Sequence, residues 1–350
     1  MEEKSGLENM EIKRVLVTGD RGYIGSVLVP MLLEEGYGVV GLDTEYFTDS
    51  LESDVPYKRI RKDIRNVTKK DLEGIDAVIH LAALSNDPMG EINPNLTTEI
   101  NLKASRKLAR LSKQVGVKRF LFSSSCSIYG IAGGIVDETS PAVPLTAYAK
   151  SKIAFEKTLK ELADDSFHVG LLRNSTVYGY SPKFRNDLVV NNLVTCALAL
   201  GKIKVMSDGS PWRPLIDVRD LSRIFIAFLQ ADAKKINGEI INIGFEENNF
   251  QVKDVLDLVK KHLPECEIIF TGEHGADTRS YKVNFKKFKK AFPKFEKHWP
   301  LDKSIQDLIA RLKDKKYSKE DFTSGRYTRL AVLKELLASK KVDTDLFLII

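Results

Sequence analysis

Along the chain, short runs of uninterrupted apolar residues alternate with longer segments whose apolar positions recur at helical spacing. "KRVLVTG" (13–19) is a continuous β-branched run, "SVLVPMLLEEGY" (26–37) has helical periodicity, and "GVVGLD" (38–43) is again continuous. "DAVIHLAA" (76–83) and "KRFLFSSS" (118–125) repeat the strand theme, with the helical "NLKASRKLARLSKQVG" (101–116) between them. Apolar strands alternating with amphipathic helices predict an α/β fold with a doubly wound parallel sheet covered on both faces. "HVGLLRNSTVYG" (168–179) and "GEIINIGF" (238–245) read as further strands of that sheet. The rhythm breaks in 181–216 and again after 246. The expected organisation is therefore a sheet domain over 11–180, with 217–245 returning to it, and a smaller α/β lobe built from 181–216 and 246–350.

Composition narrows the class without naming a chemistry. The 350 residues are 43% hydrophobic and 29% charged, which is globular composition with ample material for a core. No apolar run approaches the roughly 18 residues of a membrane span. The leader "MEEKSGLENMEIKR" lacks an apolar segment, so no membrane association and a cytoplasmic location are expected. Cys126, Cys196 and Cys266 are too scattered for a disulfide framework or a metal site, so no metal is expected. The net charge of +6 owes much to the Lys-rich "YKVNFKKFKKAFPKF". Its Phe285, Phe288 and Phe292 recur at helical spacing and are expected to face the core, leaving a solvated lysine face rather than a nucleic-acid surface.

The chemistry begins in "VTGDRGYIGS", where Gly19, Gly22 and Gly25 stand three apart between a strand and a helix starting near Tyr23. In that context the turn lets backbone approach a dinucleotide pyrophosphate at a helix N-terminus; in isolation it would also suit a packing turn. Asp43 ends the second strand eighteen positions after Gly25, where a carboxylate binds adenosine ribose hydroxyls and repels a 2′-phosphate. That favours NAD, with Arg21 as a counter-signal for NADP. In "PLTAYAKSK", Tyr148 and Lys152 share one helix face. A phenol of pKa near 10 becomes a base at neutral pH only with help from a nearby cation. Ser125 follows a buried strand at the edge where ligands bind. Each feature has a bland reading as a turn, a strand end or a chance pair; their order together is harder to obtain by accident.

At this point the sequence resembles the extended short-chain dehydrogenase/reductase family, in its nucleotide-sugar epimerase/dehydratase branch, from about Ile12 to Asn284. The resemblance implies a Rossmann-type domain whose turn residues Gly19, Gly22, Tyr23, Ile24 and Gly25 hold NAD. It places Asp63 and Ile64 near adenine, and Leu81, Ala82, Ala83, Asn101 and Ser123 beside the cofactor. Ser125, Tyr148 and Lys152 fall on the catalytic triad. Thr176, Asp187, Leu188 and Arg213, with Arg279 a weaker candidate, are implied contacts to a nucleotide-sugar substrate. Two departures stand out. Cys126 and Ser127 replace the Asp-Glu pair of 4,6-dehydratases, and Thr176 replaces an asparagine before "YG". The expected activity is epimerisation of a nucleotide-activated sugar through transient oxidation, most simply at C4. A keto-sugar reductase using NAD(P)H and a non-catalytic dinucleotide sensor are the alternatives. The branch also implies a homodimer through the helices bearing Leu108 and Leu111, and Ile153 and Leu159.

Overall fold

The structure is a computed structural model that describes residues 11–52, 54–85, 93–271 and 280–349. Its strands in chain order begin with β1 (Arg14–Thr18), β2 (Gly38–Asp43), β3 (Lys58–Arg61), β4 (Ala77–His80) and β5 (Arg119–Ser125). There follow β6 (Ile131–Val136), β7 (His168–Asn174), β8 (Thr176–Tyr178), β9 (Lys202–Val205) and β10 (Trp212–Asp217). The last are β11 (Glu239–Ile243), β12 (Asn249–Gln251), β13 (Glu267–Phe270) and β14 (Ser280–Val283). Seven of them form a parallel sheet in the order β3-β2-β1-β4-β5-β7-β11. The order reverses between β1 and β4, and a crevice at such a switch point is where open α/β sheets bind ligands.

Alternation along β1 explains the two layers. Val15 and Val17 point to one face, packing with Leu28, Val29 and Leu32 of the Gly25–Glu34 helix and with Leu221, Ile224 and Phe225 of the Val218–Gln230 helix. Leu16 points to the other, against Leu108 of the Ser105–Gln114 helix and Phe155 and Leu159 of the Ala147–Leu162 helix. A third cluster joins Val190 and Val194, Leu256 and Val259, and Leu308 from the helices Val189–Leu200, Val252–His262 and Leu301–Asp314.

Four details differ from the sequence expectation. "HVGLLRNSTVYG" splits: β7 stays in the main sheet, while β8 pairs with β10 in a separate sheet ordered β12-β10-β8. Phe285 and Phe288 are buried as expected, but their helix is short, Lys286–Ala291, and Phe292 is only partly covered. Residues after 329, read as part of the second lobe, return to the first core, where Leu333, Val342 and Leu346 are fully or nearly fully buried. Leu108 and Leu159, expected to reach a dimer partner, are consumed by the chain's own core, because their helices cover the sheet with that face. Among the described residues, no helix is long and apolar enough to cross a membrane.

Candidate active site

The turn after β1 folds back on itself. Gly22 N–H donates to the Gly19 carbonyl at 3.0 Å, and Gly19 has φ +75°. A Cβ at Gly19 would lie 2.8 Å from Ala82 N, and one at Gly25 would sit 2.6 Å from Asp20 Cα and closer still to the Gly19 carbonyl. Side chains are therefore excluded by packing, and the helix begins at Gly25, two residues later than expected. Tyr23 donates to the Gly179 carbonyl at 2.6 Å, tying the turn to the residue that follows β8.

Asp43, at the end of β2, accepts from the Glu45 N–H at 2.7 Å and the Arg21 N–H at 3.3 Å. The Arg21 guanidinium turns away to Asp54 at 2.5 Å, with Glu45 at 3.5 Å. The counter-signal for NADP is thus neutralised by two carboxylates. Beneath the turn lies Asp20, fully buried and accepting from Tyr57 Oη at 2.6 Å, with its Oδ1 unpartnered. Burial, and then the charge of Asp43, raise the Asp20 carboxyl to about 7. Asp63 caps the turn Ile64–Asn66 and is gripped by the Arg65 guanidinium at 2.9 and 2.7 Å.

Ser125 ends β5, and its Oγ is 2.9 Å from Ser127 Oγ. Tyr148 and Lys152 occupy successive turns of the Ala147–Leu162 helix, which Thr146 caps by accepting from Ala149 N–H at 3.2 Å. Lys152 Nζ donates to the Ser123 carbonyl at 2.7 Å and lies 5.3 Å from the Tyr148 ring centre. Burial brings the ammonium down to about 7, against an upward pull from Glu156. One turn further along, Glu156 is itself buried, bonded to Ser124 and to Arg173 at 2.9 and 3.1 Å. Arg173 continues to Tyr129 Oη at 3.0 Å. The helix bearing Tyr148 and Lys152 is thereby bolted to β5 and β7.

The glycine turn, Asp43, Asp63, Ser125, Tyr148 and Lys152 converge on a cavity of about 520 Å³, a size typical of ligand sites. It is lined by Gly19, Gly22, Tyr23, Ile24, Gly25, Asp43, Asp63, Ile64, Leu81, Ala82, Ala83, Ser123, Ser125, Tyr148 and Lys152. Thr176 of β8, Asp187, Leu188 and Arg213 of β10 line it as well. Asn101 does not; its amide accepts from Leu84 N–H at 2.8 Å and donates to the Leu84 carbonyl at 3.0 Å, fixing the loop behind the wall. A π-helical stretch, Thr98–Ala104, carries it. Arg279 lies outside the described residues. Among the lining residues with no counterpart in the sequence reading are Arg185, Phe47 and Arg329. Arg185 was within reach, two positions before Asp187, which it clamps at 2.8 and 3.0 Å. Burial raises and this guanidinium lowers the Asp187 carboxyl, which ends below the usual range. Neither Phe47 nor Arg329 belongs to any motif.

Comparison with known proteins agrees with this arrangement. The chain is 27% identical over 330 residues to the UDP-glucuronate 4-epimerase of Thermodesulfobacterium geofontis (strain OPF15), covering 87% of this chain and 96% of that one. It is 30% identical over 285 residues to the dTDP-D-glucose 4,6-dehydratase of Mus musculus, covering 76% and 78%. A solved structure of UDP-glucuronic acid 4-epimerase from Bacillus cereus, in complex with UDP-glucuronic acid and NAD, superposes with a TM-score of 0.75 at 26% identity. That match covers 86% of this chain and 99% of the other. The family model for NAD-dependent epimerases and dehydratases matches residues 15–244, and with the glycine turn and the Ser-Tyr-Lys set gathered at one cavity, the chain belongs to the NAD-dependent epimerase/dehydratase family.

Proposed function

We propose that the protein is an NAD-dependent 4-epimerase of a UDP-activated sugar. The observation that carries this reading is the meeting of Ser125, Tyr148 and Lys152 with the glycine turn and Asp43 in one cavity. The residues fit the cofactor: the turn has no room for side chains at Gly19 and Gly25, so a pyrophosphate can approach its backbone, and Asp43 offers carboxylate oxygens to the ribose. NAD bound there supplies the reversible electron acceptor for a sugar carbon. Tyr148 removes the proton of the sugar hydroxyl during oxidation and returns it during reduction. Lys152, when charged, stabilises the phenolate and is kept in place by the Ser123 carbonyl. Ser125 hydrogen-bonds the reacting oxygen, its own hydroxyl oriented by Ser127. Loss of water would need a carboxylic acid and base beside Ser125. Cys126 is instead buried, its Sγ 3.1 Å from the Arg173 carbonyl and its thiol pushed up by burial. Dehydration is thus unsupported despite the likeness to a dehydratase, and Arg21, held by Asp54 and Glu45, does not favour a reductase using NADPH.

A panel of UDP-, GDP-, CDP- and dTDP-sugars, assayed for epimer formation and for net cofactor turnover, tests the reading. The expected result is a mixture of C4 epimers from a UDP-sugar with no net cofactor change. Stoichiometric oxidation of NADPH, or release of water, overturns it.

The same reading assigns the sugar nucleotide to the side of the cavity formed by Thr176, Asp187, Leu188 and Arg213, and the cofactor to the sheet side. We also infer a cytoplasmic homodimer. Cys126, Cys196 and Cys266 are all free thiols, which suits a reducing compartment. The outer face of the Ala147–Leu162 helix carries a groove lined by Arg106, Pro144, Ile153, Lys157 and Glu161, beside half-exposed Val143 and Leu145. Pro144, Ile153, Val143 and Leu145, rather than Leu108 and Leu159, are apolar residues available to a second copy.

A further inference from the structure

Arg329 opens the Arg329–Ala338 helix, far beyond the family match, yet its side chain lines the dinucleotide cavity and is 3% exposed. Its guanidinium lies 4.2 Å from the centre of the Phe47 ring and donates from Nη2 to the Lys183 carbonyl at 3.1 Å. The carboxylates nearby are committed elsewhere. Asp187 is clamped by Arg185, Asp63 by Arg65, and Asp43 accepts backbone N–H groups. Burial, with Arg185 adding repulsion, holds the Arg329 guanidinium down to about 9. Among the described residues this desolvated cation has a carbonyl and an aromatic face but no carboxylate at ion-pair distance, Asp187 and Asp43 acting on it from farther off; such a cation is costly and is relieved by a closer anion.

Two diphosphates would enter this cavity, that of the dinucleotide and that of the sugar nucleotide. The surroundings favour the first. Asp43 and Phe47 lie at and just beyond the end of β2, Asp43 being tied to the glycine turn by the Arg21 N–H. The segment that delivers Arg329 is also fastened to the wall on that side: Tyr46 Oη donates to the Leu346 carbonyl, and Arg65 donates to the Asp345 carbonyl at 2.7 Å while stacking on Phe347 at 3.5 Å. Leu333, Val342 and Leu346 anchor the segment from beneath.

We propose that Arg329 is a ligand of the NAD pyrophosphate, carried by a C-terminal segment that straps the adenosine side of the cofactor site. The inference rests on NAD occupying the cavity. Such a strap suits a reaction that returns its cofactor unchanged and gains nothing from releasing it. Full-length wild type, R329Q and R329K, stripped of nucleotide, are titrated calorimetrically with NAD; NAD-saturated protein is then titrated with UDP. R329Q is expected to weaken NAD about tenfold or more, the loss of a charge-assisted hydrogen bond, with UDP affinity changed less than about twofold. R329K is expected to recover part of the loss. The cofactor-free melting temperature of R329Q is not expected to fall, because the variant removes a buried charge that has no carboxylate at ion-pair distance among the described residues. Unchanged NAD affinity in R329Q, a loss falling on UDP instead, or a lowered cofactor-free melting temperature with NAD affinity intact overturns the proposal. If wild type itself fails to bind NAD, the functional reading fails with it.

Discussion

At the scale of single residues, Asp20 is the side chain whose titration should be visible in stability. Its carboxyl is raised from 3.8 to about 7, so the folded state holds a proton that the unfolded state has already released. This contribution is fully present below about pH 4 and is lost as the pH climbs through 7. Asp20→Asn cannot ionise and keeps a carbonyl for Tyr57. Urea midpoints measured from pH 4 to 8 should therefore show the variant gaining on wild type by up to roughly 1.4 kcal/mol per pH unit across that window. Parallel pH profiles would refute the assignment. Tyr148→Phe should lose about 10²–10⁴ in turnover with NAD affinity little changed, since the phenol moves a proton but does not hold the cofactor turn. Wild-type turnover in that variant would remove Tyr148 from the chemistry. Gly19, Asp43, Tyr148 and Lys152 were legible because their chemistry depends on spacing within a few residues or on position at a strand end. Arg185 is harder to read although it stands two positions from Asp187, since nothing local shows that its fork closes on that carboxylate.

At the scale of elements, the Ala147–Leu162 helix presents Tyr148, Lys152 and Glu156 four residues apart on one inward stripe. Lys152 was readable from the sequence because a phenol base requires a cation. Glu156 was not, because its partner Arg173 is on β7 and only the fold brings them together. Glu156→Ala leaves the buried Arg173 guanidinium without its carboxylate and should cost about 3–5 kcal/mol, by the usual consequence of halving a buried pair. Equilibrium denaturation checks this, and a loss below about 1 kcal/mol would mean that the helix is held by its apolar contacts alone. The split of β7 from β8 and the π-helical turn around Asn101 were equally invisible to pattern reading. Both are decided by where hydrogen-bond partners lie in space, not by apolar periodicity.

At the scale of the whole molecule, light scattering at micromolar protein should report about twice the 39.4 kDa chain mass. A persistent 39.4 kDa species rules out the dimer. Alternating strands and helices were enough to foresee the parallel sheet. They did not foresee the return of residues 329–349 to it, because a short helix and a few isolated apolar residues look the same wherever they dock. That return has a consequence in time. Tyr46 bonds a carbonyl 300 residues later in the chain. At a synthesis rate of about 5–20 residues per second, roughly 15–60 s separate the two on the ribosome. For the last part of that interval, the roughly 5–20 s between the end of β11 and Leu346, the cofactor-binding half waits, already made but missing part of its own wall, with the apolar patch destined for Leu333, Val342 and Leu346 open to whatever else is near.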